Sequence, residues 1–249
     1  MLGNKREIIA VRQTLHKLIS SKFFHLELSE KLTKSIRRLN PDFQDIFIIV
    51  EKDRRTDKHH EHRLNAGPYY EFGHYHQIGC PIKLDCSLAA EIILEICENP
   101  KLTRFKSGVE LIIYHEREHF ELPEKPLILY YPSGKIYCNS KYHFSEAFAQ
   151  IMALNKVKNP IESMASALTI QHYIEDSISL KKHIATLMRH WHHFDLEREK
   201  EFNIVYQFPL SEIAISEIIR KAANFEKTLK KCLGNNKGRF RKRFTPFLL

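Results

Sequence analysis

Apolar residues recur at helical spacing near the N-terminus, whereas the next part of the chain contains compact β-branched runs. The spacing predicts amphipathic helices over residues 5–21 and 29–39. The run DIFIIVEKD at 45–53 predicts a buried strand, and GHYHQIGCPI at 73–82 predicts the next one. The polar and charged residues 54–72 between them are expected to form a long loop or an irregular hairpin connection.

Helical and strand patterns alternate up to residue 159, and only helical patterns follow. The helix predicted over 85–100 takes Asp85 or Ser87 as its N-cap and ends at Asn99-Pro100. GVELIIYHE at 108–116 and PLILYYPSGKIYC at 126–138 predict strands, the latter with a Pro-Ser-Gly turn. The remaining helices are expected over 143–159, 160–175, 177–194 and 209–233, with Gly234 as the stop signal of the last.

This order of elements predicts an α+β fold. A central antiparallel sheet would carry flanking helices and be followed by a helical C-terminal region. We expect four segments: N-terminal helices (1–40), an α+β sheet domain (41–159), a helical C-terminal region (160–236) and a basic tail (237–249).

The chain is basic. Its 249 residues include 39 lysines and arginines against 30 acidic residues, which gives a net charge of +9. This balance favours an anionic partner, with nucleic acid first and an acidic membrane surface second, and a functionally neutral cationic surface is the alternative.

No apolar run is long enough to span a membrane, and the N-terminus lacks a signal-peptide pattern. The five scattered cysteines form no CxxC pair, which indicates a reducing, cytoplasmic location with most of these side chains buried.

Two histidines in the second predicted strand, His74 and His76, are candidate metal ligands. Alternate residues of a strand share a face, so both imidazoles would lie on one side of the sheet. Imidazole is a common ligand for divalent transition metals, and an open site needs a third ligand. Glu51 is the natural third ligand, because an adjacent antiparallel strand could bring it to the same face. Three connector histidines compete for this role: His59, His60 and His62. Two solvated or hydrogen-bonded histidines are the alternative.

The order of an acidic strand end, a polar connector and a His-Tyr-His strand resembles the HUH endonucleases of rolling-circle replication. More narrowly, residues 40–160 resemble the inovirus Gp2-type replication proteins and the YagK/YfjJ C-terminal domain of prophage proteins. The resemblance implies that His74 and His76, with Glu51, hold Mg or Mn. It also implies that a tyrosine on a nearby helix attacks a DNA phosphate.

The helix that should carry this tyrosine departs from the family pattern. In FSEAFAQIMALNK (144–156), Phe144, Phe148, Leu154 and Lys156 match the family helix, but the tyrosine position is Ala153. Alanine has no oxygen that could act as a nucleophile. The substitute candidates are Tyr142, Tyr137 and Tyr173. The resemblance assigns Lys156 to phosphate contact or to stabilising the leaving charge.

Basic residues form two clusters that would suit a phosphodiester backbone. The connector beside the predicted metal site carries Lys52, Arg54, Arg55, Lys58 and Arg63. The tail carries Lys237, Arg239, Arg241, Lys242 and Arg243. Phe240 and Phe244 are interleaved with the tail cations, a pattern that favours single-stranded nucleic acid, and a disordered solubilising tail is the alternative.

Three functions follow from these patterns. The first is a phage- or plasmid-type replication protein that nicks single-stranded DNA with a metal ion. The second is a nucleic-acid-binding protein that keeps the fold without the chemistry, and the third is a protein-interaction module. His190 and His193 around Trp191 have a spacing that can bind metal, but an amphipathic helix end is the more usual explanation of these residues.

Overall fold

The described part of the chain divides into two compact units. The computed structural model describes residues 25–51, 66–68, 80–84, 87–120, 127–131, 134–136, 141–175, 204–207 and 212–234. Unit one contains the described residues up to Thr103 together with Leu233 and Gly234, and unit two contains those from Arg104 to Cys232. The helices expected over 5–21 and 177–194 lie outside the described residues, and the segment boundaries at 40, 159 and 236 stay predictions.

Unit one begins with helix α1 (Leu26–Leu39), which confirms the helix predicted over 29–39. Leu28, Leu32 and Ile36 recur every four residues and form its buried face. The helix ends before Asn40-Pro41, because a proline disfavours helical dihedrals in the residue before it. Asn40 accordingly adopts an extended conformation.

Helix α1 also covers one edge of the first strand, β1 (Ile46–Val50). Side chains four residues apart on the helix reach alternate backbone groups along the strand. The Ser29 Oγ accepts from the Val50 N–H at 2.9 Å, and the Thr33 Oγ1 accepts from the Ile48 N–H at 2.9 Å. The Arg37 Nε donates to the Ile46 carbonyl at 2.9 Å. These bonds satisfy backbone groups that would otherwise be open to a further strand.

The other edge of β1 pairs with β3 (Cys80–Leu84), and the strand order is β1-β3-β2, where β2 is Ala66–Pro68. β1 and β3 are parallel, with Ile46 opposite Cys80, whereas β2 is antiparallel to β3. The sequence predicted an antiparallel pairing of the first two major strands, and this was wrong. Two apolar runs joined by a long connection fit either direction, so the packing of the whole unit decides it.

The helix predicted over 85–100 is confirmed as α2 (Ser87–Glu98). Its Glu98 accepts a hydrogen bond from the Ser35 Oγ of α1 at 3.0 Å, which ties the two helices together beside a largely aliphatic core. Among the described cysteines, Cys80 and Cys97 are buried, as expected for small apolar residues.

Unit two begins with helix α3 (Lys106–Glu118), where the sequence predicted a strand over 108–116. Val109, Ile112 and Ile113 are β-branched and favour a strand locally. Helical spacing, however, places Val109 and Ile113 on one face, and both are buried. α3 packs against two other helices, so tertiary contact outweighs the small propensity difference.

Those two helices are α4 (Lys141–Lys156) and α5 (Pro160–Glu175), both predicted from the sequence. Every residue of α5 from Ser163 to Ile170 is buried, which marks it as the central helix of the unit. α3 and α5 approach each other closely at Gly108: a Cβ there would lie 2.6 Å from the backbone nitrogen of Ala167. Only glycine allows this approach without a shift of one helix.

The last helix, α6 (Glu212–Leu233), confirms the helix predicted over 209–233, and Gly234 follows it with a φ of 80° as the sequence predicted. Thr169 of α5 donates to the Ala222 carbonyl of α6 at 3.3 Å. Phe105 and Phe225 make an edge-to-face contact with centroids 5.5 Å apart.

A second small sheet belongs to unit two, with the order β5-β4-β6. β4 (Leu127–Tyr131) and β5 (Gly134–Ile136) are antiparallel neighbours, which confirms the strand structure predicted over 126–138. β6 (Ile204–Gln207) pairs parallel to β4 and interrupts a region that was predicted as wholly helical. The predicted α+β fold with a central antiparallel sheet is therefore wrong. Helices dominate the described residues, and each of the two small sheets contains a parallel pair.

Candidate functional site

The predicted metal ligand Glu51 lies just beyond the end of β1. Its backbone N–H donates to the Leu84 carbonyl at 2.8 Å, which places it beside the C-terminal end of β3. Its carboxylate lies 3.9 Å from the Lys83 ammonium of that strand. β1 and β3 are parallel, and Lys83 is one partner of the Glu51 carboxylate. His74 and His76 lie outside the described residues, so the convergence of the three predicted ligands stays a prediction.

Most of the other predicted site residues lie outside the described residues. They include the metal candidates His74 and His76, the connector cations Lys52, Arg54, Arg55, Lys58 and Arg63, and the tail cations Lys237, Arg239, Arg241, Lys242 and Arg243. Their assignments stay predictions. Within the ranges that the structure does describe, no group of three or more histidine, cysteine, aspartate or glutamate side chains is arranged to hold a metal ion.

The candidate catalytic residues on the helices can be placed. Ala153, at the position of the family tyrosine, is fully buried in α4. Tyr173 on α5 is 4% exposed, so it belongs to the buried core of the described residues. Tyr142 lies in the first turn of α4. Lys156, at the end of α4, is 34% exposed and forms an ion pair with Glu118 of α3, which has no exposed side-chain surface.

A cluster of polar side chains joins the last turn of α3 to α4. His115 Nδ1 lies 3.0 Å from Gln150 Oε1, and His115 Nε2 lies 3.3 Å from His119 Nε2. The two imidazole rings meet edge to face, with centroids 4.9 Å apart. The Glu118–Lys156 ion pair joins the same two helices, and the Lys156 ammonium lies 5.8 Å from the centre of the Tyr114 ring.

The tautomer of His115 follows from its neighbours. The Gln150 amide nitrogen donates to the Met164 sulfur at 3.6 Å, and a thioether can only accept. This fixes the amide orientation and turns Oε1, an acceptor, toward His115. His115 Nδ1 is therefore the donor of that hydrogen bond, and in the neutral imidazole its Nε2 carries a lone pair directed at His119.

The sequence already contained the signal for this cluster. Residues 115–119 read His-Glu-Arg-Glu-His, and histidines at i and i+4 share a face of a helix. The same His-Glu-x-x-His spacing occurs on zinc-binding helices of metal-dependent hydrolases. The strand predicted over 108–116 ended before Glu118 and His119, so the pair was missed.

A second candidate surface is the exposed side of α6. Its exposed residues follow a single stripe at helical spacing: Ser216, Arg220, Ala223, Asn224, Lys227, Lys230 and Lys231. The stripe contains four cations and no acidic residue. The described acidic side chains of this helix, Glu217 and Glu226, lie half-buried beside it and pair with Lys221 at 3.7 Å and Lys230 at 2.7 Å. The stripe is thus a basic surface on a helix whose opposite face is apolar.

Comparison with known proteins does not add a family: no family model, no curated protein and no solved structure matches the chain. The likeness to HUH endonucleases rests on the quoted motifs alone. None of the helices in the described ranges is both long and apolar enough to cross a membrane.

Proposed function

We propose that this protein binds nucleic acid through a C-terminal basic segment and does not cleave it with an HUH-type tyrosine. The C-terminal basic segment is defined by eight cations: Lys227, Lys230, Lys231, Lys237, Arg239, Arg241, Lys242 and Arg243. The observation that carries the proposal is the charge pattern of this segment, because no acidic residue follows Glu226. A polyanion that binds this part of the chain would meet no acidic residue beyond Glu226 in the sequence.

Helix α6 supplies the described part of this segment. Lys227, Lys230 and Lys231 lie on its exposed stripe, so a phosphate backbone can approach them without any rearrangement of the core. Lys230 also pairs with Glu226 at 2.7 Å, so a phosphate would compete with that carboxylate for its ammonium group. Each phosphate contact would release condensed counterions, which makes binding salt-dependent. Phe240 and Phe244 follow in the sequence and could stack on unpaired bases, which supports single-stranded nucleic acid as the ligand.

Three observations on the HUH-type residues favour binding without cleavage. The tyrosine position is a buried alanine, and Tyr173 is buried as well. Lys156, the residue matched to phosphate contact, is engaged by a buried carboxylate. Cleavage by a different tyrosine would still leave a covalent protein–DNA adduct, so an adduct assay tests this half of the proposal directly.

Binding is tested by fluorescence anisotropy with a labelled single strand and the matching duplex over a range of salt concentrations. The helix variant replaces Lys227, Lys230 and Lys231 with Gln. The matched control replaces three exposed cations of unit one, Lys34, Arg38 and Lys101, with Gln, which changes the net charge equally. For a single strand, loss of three phosphate contacts should lower the slope of log K against log salt by about 2.

The expected result is a weaker, less salt-dependent interaction in the helix variant and near wild-type binding in the control. Equal losses of affinity in both variants would show that only the net charge matters. Unchanged affinity in the helix variant would refute the proposal that these lysines contact nucleic acid. In a separate denaturing gel with Mn²⁺ and labelled single strands, we expect no covalent adduct. An adduct would overturn the non-cleaving part of the proposal and leave the binding part in place.

A further inference from the structure

We propose that His115 and His119 form a binding site for a divalent transition metal ion of the zinc class. Both side chains are half-buried at the end of α3, so an ion can reach them from solvent. Imidazole nitrogens suit Zn²⁺, Cu²⁺ and Ni²⁺, whereas Mg²⁺ prefers oxygen ligands. The proposal uses neither His74 nor His76 and does not depend on the proposed nucleic-acid binding.

The distance between the two histidines fits a shared ion. Zn²⁺ binds imidazole nitrogen at 2.0–2.1 Å with tetrahedral angles, so two ligating nitrogens stand about 3.3 Å apart. His115 Nε2 and His119 Nε2 are 3.3 Å apart. An ion could therefore enter between them with little change in either side chain.

Gln150 prepares His115 for this role. Metal-bound histidines commonly donate their second ring nitrogen to an acceptor that fixes the tautomer and the ring orientation. His115 Nδ1 donates to Gln150 Oε1 at 3.0 Å, and Met164 holds the amide in that orientation. The lone pair of His115 Nε2 is thereby directed at the gap between the imidazoles. If the two histidines had only a structural role, His119 Nε2–H would donate a hydrogen bond to His115 Nε2 across this gap.

The proposal is a metal site and not a hydrolase. In zinc hydrolases with this spacing, the glutamate after the first histidine acts as a base and a third protein ligand completes the site. Among the described residues no third ligand joins the pair. Two imidazoles leave the remaining coordination positions to water or to a ligand from outside the chain.

The test is metal protection of histidines from diethyl pyrocarbonate in the intact protein, read by tryptic peptide mass spectrometry. Trypsin cuts after Arg117, so His115 and His119 fall in separate peptides, 107–117 and 118–135, each with one histidine. Other histidine-rich stretches of the chain can bind Zn²⁺ without affecting this readout. His25, another half-buried histidine, is the internal control in peptide 23–31.

We expect Zn²⁺ to slow modification of His115 and His119 together, with one shared midpoint, while Mg²⁺ has no effect and His25 is unchanged. His119→Ala should abolish the protection of His115 by Zn²⁺. Gln150→Leu should move the midpoint to Zn²⁺ concentrations about 10–100-fold higher. Modification of the pair that is independent of Zn²⁺ in the wild-type protein would overturn the proposal, whatever the stability of the variants. Protection of His115 that persists in the His119→Ala variant would overturn the shared site.

Discussion

Replacing Lys156 with Met separates a catalytic role of this lysine from a structural one. The lysine matches a phosphate-contacting position in the HUH-like pattern, yet its ammonium pairs with the buried carboxylate of Glu118. A residue used only for substrate contact can be removed without loss of stability. Removal of a residue that neutralises a buried charge does lower stability, because the remaining carboxylate is then buried without a counter-charge and without water.

The expected loss of unfolding free energy in the Lys156→Met protein follows from the burial of Lys156 and Glu118. Glu118 has no exposed side-chain surface, and removing one partner of a buried pair costs about 3–5 kcal/mol. Lys156 itself is 34% exposed, which means that water already reaches part of the pair, so we expect the low end, about 3 kcal/mol. Glu118→Gln made in the Lys156→Met background should restore about 2 kcal/mol, because the uncompensated charge is then gone.

Urea unfolding followed by circular dichroism gives the free energies, and hydrogen exchange of α3 and α4 peptides reports the local effect within unit two. Lys158→Met is the matched control, since Lys158 is exposed two positions further along the chain. It should change stability by no more than about 0.5 kcal/mol. A Lys156→Met protein as stable as this control would contradict the role of Lys156 in neutralising Glu118. Further destabilisation of that protein by Glu118→Gln would contradict it as well.

Two other substitutions test the packing of each unit. Gly108→Ala gains about 1 kcal/mol in helix propensity, but its Cβ would lie 2.6 Å from the Ala167 nitrogen and 2.7 Å from the Ser166 carbonyl carbon. We expect a net loss of about 2 kcal/mol in urea unfolding, whereas Ser107→Ala should be nearly neutral; a stabilised Gly108→Ala protein would refute the close approach. Ser29→Ala leaves the buried Val50 N–H without its 2.9 Å acceptor, which should cost about 1–3 kcal/mol. Faster hydrogen exchange at Val50 would confirm the cause, and unchanged exchange there would contradict it.

The sequence alone determined much of the helical framework. Periodic apolar positions and strong boundary signals predicted α1, α2, α4, α5 and α6, and Gly234 was recognised as the stop after α6. These features are local, because a helix satisfies its own backbone hydrogen bonds and its ends depend on a few neighbouring residues. The β4–β5 pair was predictable for the same reason, since a short turn leaves two adjacent strands little choice of partner.

Only the tertiary structure decided the direction of the first sheet. The parallel register of β1 and β3 depends on residues more than 30 positions apart in sequence. The position of α1 along the edge of β1 depends on hydrogen bonds from three side chains. The same polar groups could equally well form hydrogen bonds with water. Neither feature leaves a period or a turn signal in the chain, so the antiparallel prediction could not be corrected from the sequence.

The candidate site shows the same division. The local propensities of residues 108–116 for strand and for helix are similar, and packing against α4 and α5 favours the helix. Once the segment is a helix, the spacing of His115 and His119 predicts a shared face. Their 3.3 Å separation and the Gln150 hydrogen bond come from the packed helices. The chain thus encodes the ligand types and their spacing, whereas the distances needed for chemistry arise only where separate segments pack together.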